Sequence, residues 1–311
     1  MILTQKAVEL VENRLSCVKI EGIDRFDVAK VFDCGQCFRF DPVEQSRHEK
    51  EFSGCALGRY ISVAQNGDTL FIYNITLDEY ERVWKKYLGL DRDYAEIDRE
   101  ILSLSQNPAL ADAASRSSGI RILSQDPWEA ICSFMISQNN NIPRIKKLVA
   151  ALCHACGDEL NVSGMEGHIA SVHKETVGHF YSFPSPDKVR ELGIAGLADL
   201  KMGFRAKYIY DATEKMCGGE IDLDLLRSAD TDAAIEHLCR VKGIGIKVAS
   251  CALLFGFERL DAFPVDVWIK KVMAKYFDED FDYKTLGRYA GIAQQYLFYY
   301  ERYLQSLEEQ E

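Results

Sequence analysis

The residues best placed to do chemistry in this sequence are a lysine and an aspartate. Lys247 follows Gly243-Ile244-Gly245-Ile246, and Asp266 stands in Phe263-Pro264-Val265-Asp266-Val267, beyond an apolar run. A lysine amine becomes nucleophilic when desolvation or neighbouring cations leave part of it neutral, and the basic surroundings and apolar run could supply both conditions. A carboxylate facing it can stabilise positive charge developing at a reacting carbon, such as that of a sugar ring losing its base. Two glycines flanking one apolar residue permit a tight turn with uncovered backbone N–H groups, which can hold a phosphate beside a helix start. Cys251 lies four residues past Lys247 and shares its helical face. On residue type alone, Lys247 could equally be a phosphate-binding surface lysine and Asp266 only a helix N-cap.

These residues need elements to position them. After a short opening read as helical, residues 15 to 75 carry alternating and β-branched runs, among them Arg59-Tyr60-Ile61-Ser62-Val63 and Thr69-Leu70-Phe71-Ile72-Tyr73, with Asn66-Gly67 between them as a tight-turn signal. From Thr76 onward the apolar period becomes helical. Asp126-Pro127 signals a helix start, with a stop near Asn139-Asn140-Asn141 and a second helix from about Pro143. The stretch from Gly157 to Gly178 reads as loop or insertion. The expected fold class is α+β, an N-terminal antiparallel β-sheet domain followed by a mostly α-helical two-part body. The expected division is 1–110 for the sheet domain with flanking helices and 111–311 for the helical body, with a helix-hairpin-helix near 232–257. Packing of the sheet domain against the C-terminal helix is left open.

The 311 residues suffice for a sizeable core. The formal charge of −11 argues against a protein that coats nucleic acid non-specifically. Between Arg240 and Tyr276, however, seven basic residues face three acidic ones, a local +4, and phosphate affinity needs a local patch rather than a basic whole. Neither a secretion signal nor a membrane span is read, so a cytoplasmic protein is expected, nucleoid-associated if bacterial. Ten cysteines in apolar segments suit reduced core thiols. Cys34/Cys37 and Cys153/Cys156 have zinc-like spacing but lie more than a hundred residues apart, and no cysteine follows Cys251, which excludes a C-terminal four-cysteine iron–sulfur cluster. No metal or organic cofactor is expected.

The segment from Gly243 to Asp266 resembles the helix-hairpin-helix, Gly/Pro-Asp superfamily of DNA glycosylases, and most closely its 8-oxoguanine branch, over roughly Asp33 to Arg302. The resemblance implies that Gly243 and Gly245 form the DNA-holding hairpin, that Lys247 is a Schiff-base nucleophile and that Asp266 is its catalytic partner. Ser137-Gln138-Asn139-Asn140-Asn141-Ile142-Pro143-Arg144-Ile145 is similar to the family's N-N-N-I-x-R-I loop; by that likeness Asn139 fills the space of the flipped nucleotide and Arg144 reads the widowed cytosine. Gly203-Phe204-Arg205-Ala206 resembles G-Y-R-A, which implies a wedging Phe204 and places Arg205 at the DNA. Cys34-Gly35-Gln36-Cys37-Phe38-Arg39 looks like the segment whose glycine carbonyl accepts the N7 hydrogen of 8-oxoguanine. Gln294 would meet the Watson–Crick edge, with Phe298 and Cys251 sandwiching the base.

Departures are Lys242 where the family usually has proline, and Trp268 near the position of a histidine in eukaryotic members. The implied activity is a bifunctional glycosylase/AP lyase, a monomer acting on 8-oxoguanine in duplex DNA, with cytosine the expected opposite base. The rival readings are a glycosylase for another damaged purine, a non-catalytic helix-hairpin-helix DNA-binding module, and an acidic helical interaction protein.

Overall fold

A computed structural model describes residues 5–12, 14–175 and 180–308. The chain opens with β1 (Lys6–Glu12) and β2 (Leu15–Glu21), then α1 (Val28–Asp33), β3 (Phe40–Pro42), β4 (Lys50–Ala56), β5 (Arg59–Asn66) and β6 (Thr69–Tyr73). These strands form one antiparallel sheet in the order β1-β2-β6-β5-β4-β3. The helical opening expected before residue 15 is therefore corrected for residues 6–12, which are a strand. Glu12 pairs with Leu15, Arg14 takes φ 70°, and docking on the free edge of β2 overrides local helical spacing.

One face of the sheet, with Ile20, Ile61, Val63 and Ile72, packs on Val31 and Phe32 of α1 and on Trp84 and Tyr87 of α2 (residues 77–87). The helix α2 begins at a capping box between Thr76 and Glu79 and contains a π-helical turn over Tyr80–Trp84. Cys17, Tyr60 and Tyr73 on the opposite face are covered by Met165, Ile169 and Phe180. The stretch read as loop or insertion thus supplies the lid of the sheet, although Gly178 lies outside the described residues. Polar bonds pin it down: His168 Nδ1 lies 2.6 Å from Glu51 Oε1, and His173 Nδ1 lies 2.9 Å from the Tyr60 hydroxyl.

The helical body follows with α3 (Tyr94–Leu104), α4 (Pro108–Arg116), α5 (Pro127–Ile136), α6 (Ile142–Cys156), α7 (Ser171–Glu175), α8 (Pro186–Asp199), α9 (Arg205–Cys217), α10 (Leu223–Ser228), α11 (Thr231–Cys239), α12 (Ile246–Gly256), α13 (Val267–Tyr276) and α14 (Ala290–Glu308). The expected starts at Asp126-Pro127 and near Pro143 hold, because Asp126 caps Glu129 N and Asn141 caps Arg144 N. One core runs through most of this body and takes in Cys34 and Phe38 from the chain around β3. Buried Leu253 and Leu254 of α12, Ile131 and Phe134 of α5, and Tyr296 and Leu297 of α14 meet there. Tyr296 also donates its hydroxyl to Asp98 on α3 at 2.8 Å, and its carbonyl accepts from Ser117 beyond α4 at 3.1 Å. The last helix is thereby fixed against the middle of the chain. Among the described residues, no helix is long and apolar enough to cross a membrane.

Candidate active site

The hairpin between α11 and α12 is built by two buried anchors, Val241 and Ile244, and by a brace from α9, where Asp211 accepts the Lys242 amide at 3.0 Å. Gly243 has φ +86°, and a Cβ there would lie 2.3 Å from Tyr208 Cγ, so no other residue fits. Gly245 is different: it is extended at φ −101°, and a Cβ would meet nothing within 4 Å. It serves as N-cap of α12 with no side-chain cap bond, which leaves the first amides of α12 uncapped by a side chain, beside the exposed Ile246. Such a terminus carries partial positive charge and N–H groups aimed outward, a fit for a phosphate.

Lys247 sits in the first turn of α12, and Asp266 caps α13 by accepting Ile269 N at 2.8 Å. Both line one cavity of about 420 Å³. The Lys247 amine donates to Ser137 Oγ at 3.2 Å and stands 5.7 Å from the Phe134 ring centroid. The Ser137 hydroxyl in turn donates to the Phe134 carbonyl at 2.8 Å, so its lone pairs are left for the lysine. Burial pushes the Cys251 thiol up to about 11, with the Lys247 charge pulling it down and the Asp266 charge pushing it up. Cys251 therefore faces the cavity as a neutral thiol at physiological pH.

The far wall comes from the two ends of the chain. Gly35, at φ +82°, brings its backbone so close to α14 that a Cβ would lie 3.4 Å from the Phe298 ring. Gln294 lines the cavity and is buried, and its Oε1 has no hydrogen-bond partner among the described residues. The neighbouring Gln295 donates to the Cys34 carbonyl at 2.7 Å. Gln36 is wholly buried, donating to the Val31 and Arg121 carbonyls and accepting from Leu123 N.

The structure brings Lys247, Asp266, Gly35, Cys251, Gln294 and Phe298 around the same cavity. Exposed Asn139, at φ 48°, lies on the loop entering α6 and exposed Arg144 in the first turn of that helix, while Phe204 is half exposed before α9. Arg205 opens α9. Its guanidinium is buried, donates to the Gln138 carbonyl at 3.0 Å and the Asn139 carbonyl at 2.9 Å, and lies 4.5 Å from the Phe204 ring centroid. These bonds brace the loop that carries Asn139. Trp268 lines the cavity with Lys271 5.1 Å from its ring centroid. Sequence reasoning missed Phe134, Ser137 and Gln295. Ser137 does precede the asparagine loop directly enough to be suspected, but nothing local marks the other two.

A hairpin-borne lysine and a helix-capping aspartate face one cavity, and residues 132–285, which hold both, match the model of the HhH-GPD superfamily of base excision DNA repair proteins. Residues 19–131 match the 8-oxoguanine DNA glycosylase N-terminal domain. The chain belongs to the 8-oxoguanine DNA glycosylase family.

Among solved structures, the Clostridium acetobutylicum 8-oxoguanine glycosylase/lyase, in complex with double-stranded DNA containing cytosine opposite 8-oxoguanine, is 35% identical. Its TM-score is 0.83, covering 96% of this chain and 98% of that one. MBOgg1, bound to a low-affinity DNA ligand, is also 35% identical, with TM-score 0.84 and coverage of 97% and 99%. The N-glycosylase/DNA lyase OGG1 of Arabidopsis thaliana is 31% identical over 213 residues, 62% of this chain. The match spans about half, 55%, of that protein's length.

Proposed function

We propose that this chain is a bifunctional DNA glycosylase/AP lyase that excises 8-oxoguanine from duplex DNA, opposite cytosine, in base excision repair. The observation that carries the reading is the cavity shared by Lys247, Asp266 and the buried, partnerless Gln294 oxygen. Its volume of about 420 Å³ falls within the range of pockets that bury a small ligand, roughly 300–1,000 Å³. An orphaned acceptor is costly unless a ligand N–H satisfies it, and the Watson–Crick edge of a purine offers such donors. The C. acetobutylicum complex, whose DNA carries that lesion and opposite base, supports the same substrate.

In this reading the uncapped start of α12, with Gly243 and Gly245, grips a backbone phosphate. Asn139 and Phe204 fill and wedge the stack as the lesion is everted, and Arg144 reads the cytosine left behind. The base enters between the Cys251 thiol and the Phe298 ring, with the Gly35 carbonyl accepting its N7 hydrogen. Lys247 Nζ forms a bond to C1′ as the C1′–N9 bond breaks and its electron pair leaves on the base, which takes up the proton that the nitrogen then loses. The C1′–O4′ bond breaks as the remaining N–H proton passes to O4′, giving an imine, and loss of the C2′ proton with expulsion of the 3′-phosphate cleaves the strand by β-elimination. The Asp266 carboxylate stabilises the positive charge on the sugar during the displacement. The protein acts as a monomer in the cytoplasm, associated with the nucleoid if its source is bacterial.

Borohydride trapping on an 8-oxoguanine:cytosine duplex tests this. A covalent protein–DNA adduct is expected for the native chain and none for Lys247→Gln. Absence of the first, or persistence of the second, refutes the proposal.

A further inference from the structure

The cavity wall that meets the base depends on a hydrogen bond joining residues 261 positions apart, Gln295 Nε2 to the Cys34 carbonyl at 2.7 Å. Both residues are buried, Gln295 at 3% exposure and Cys34 at 0%. The bond is made to the peptide plane that precedes Gly35, and that plane sets the origin of the unusual φ of +82°. The next carbonyl, that of Gly35 itself, has no hydrogen-bond partner among the described residues. Its direction is therefore held by its neighbours on either side. On one side stands Gln36, whose side chain is fixed to residues 31, 121 and 123 and whose own carbonyl accepts from Gln125 at 2.7 Å. On the other stands Gln295.

We infer that Gln295 is a specificity-determining positioning residue, which aims the Gly35 carbonyl into the pocket by locking the Cys34–Gly35 peptide to the C-terminal helix. Glycine at residue 35 admits the close approach of Phe298, but the same absent side chain leaves its peptide planes free to rotate. An acceptor that must tell one N–H donor from a bare ring nitrogen needs a fixed aim, since discrimination by a hydrogen bond rests on leaving the wrong partner unpaired. Gln295 supplies this from the same helix that carries Gln294 and Phe298. Base edge, base face and the position that distinguishes the lesion are thus read by one rigid unit.

This inference rests on the proposed 8-oxoguanine activity, and the test separates the two. Single-turnover cleavage is measured for the native chain, Gln295→Leu and Gln295→Glu on two duplexes, one with 8-oxoguanine opposite cytosine and one with a preformed abasic site. The abasic site has no base to be read, so it reports the Lys247 chemistry and the fold alone. Both variants are expected to lose roughly tenfold or more on the 8-oxoguanine duplex, one hydrogen bond's worth of aim, and to stay within about twofold on the abasic duplex. Equal losses on both duplexes would make the bridge a folding contact and overturn the inference, as would unchanged rates on both. A native chain that cuts the abasic duplex but leaves 8-oxoguanine untouched would instead overturn the proposed substrate.

Discussion

The two hairpin glycines should respond in opposite ways to the same substitution. Gly243→Ala places a methyl group where Tyr208 Cγ would be 2.3 Å away and forces an alanine to φ +86°. The left-handed conformation costs about 1–2 kcal/mol, and overpacking a filled site about 1–3 kcal/mol. The sum, about 2–5 kcal/mol, is a large share of the ~5–15 kcal/mol by which native proteins are stable. Gly245→Ala meets no atom within 4 Å and needs no unusual φ, so its unfolding free energy should stay within about 0.5 kcal/mol of native.

Residue 245 nevertheless directly precedes the α12 amides that no side chain caps. Loss of one hydrogen bond to a charged phosphate is worth about 1.5–3 kcal/mol, or roughly 10- to 100-fold in affinity. Urea unfolding and a fluorescence-anisotropy titration with duplex DNA at fixed salt read the two quantities. Native-like DNA affinity for Gly245→Ala would refute phosphate capture by the hairpin, and native-like stability for Gly243→Ala would refute the packing argument.

Two further outcomes are expected. Asp266→Asn keeps an acceptor for Ile269 N and should hold stability within about 0.5 kcal/mol, whereas Asp266→Ala should cost about 1 kcal/mol; both should lower base release by roughly 10²–10³-fold, and an active Asp266→Asn enzyme would show that the aspartate only caps its helix. Burial raises Cys251 from 9.0 to about 11 and Cys34, Cys55 and Cys153 from 9.0 to about 12. Below pH 9 these thiols are protonated in folded and unfolded chains alike; above it the unfolded chain alone releases protons, so stability present below pH 9 is lost as pH climbs toward 11–12. A urea midpoint that stays level from pH 8 to 10.5 would contradict this.

Much of the site was legible because its parts lie close in sequence or in strongly typed motifs. The interval from Gly243 to Asp266 needs only one hairpin and one helix to bring lysine and aspartate together, and Asp126, Asn141 and Asp266 announce their helices by capping. What escaped notice depends on distant partners. Residues 6–12 became a strand because β2 offers an edge, Arg205 turned inward because two loop carbonyls needed donors, and Gln295 found its acceptor 261 residues upstream. The covering of the sheet by Met165 and Ile169 was likewise invisible, since nothing in a glycine-punctuated stretch says which apolar face it will shield.

The helix of residues 290–308 carries a consequence for biosynthesis. A ribosome releases Gly35 early and Lys247 much later, and the helix bearing Gln294, Gln295 and Phe298 emerges later still. A polypeptide halted by a premature stop codon near residue 288 would keep both Lys247 and Asp266 while losing the side chains of α14 that line the cavity. On the proposed reading, such a fragment, were it to fold, would be an amine without a gatekeeper, able to react with exposed aldehydic sugars but blind to the lesion.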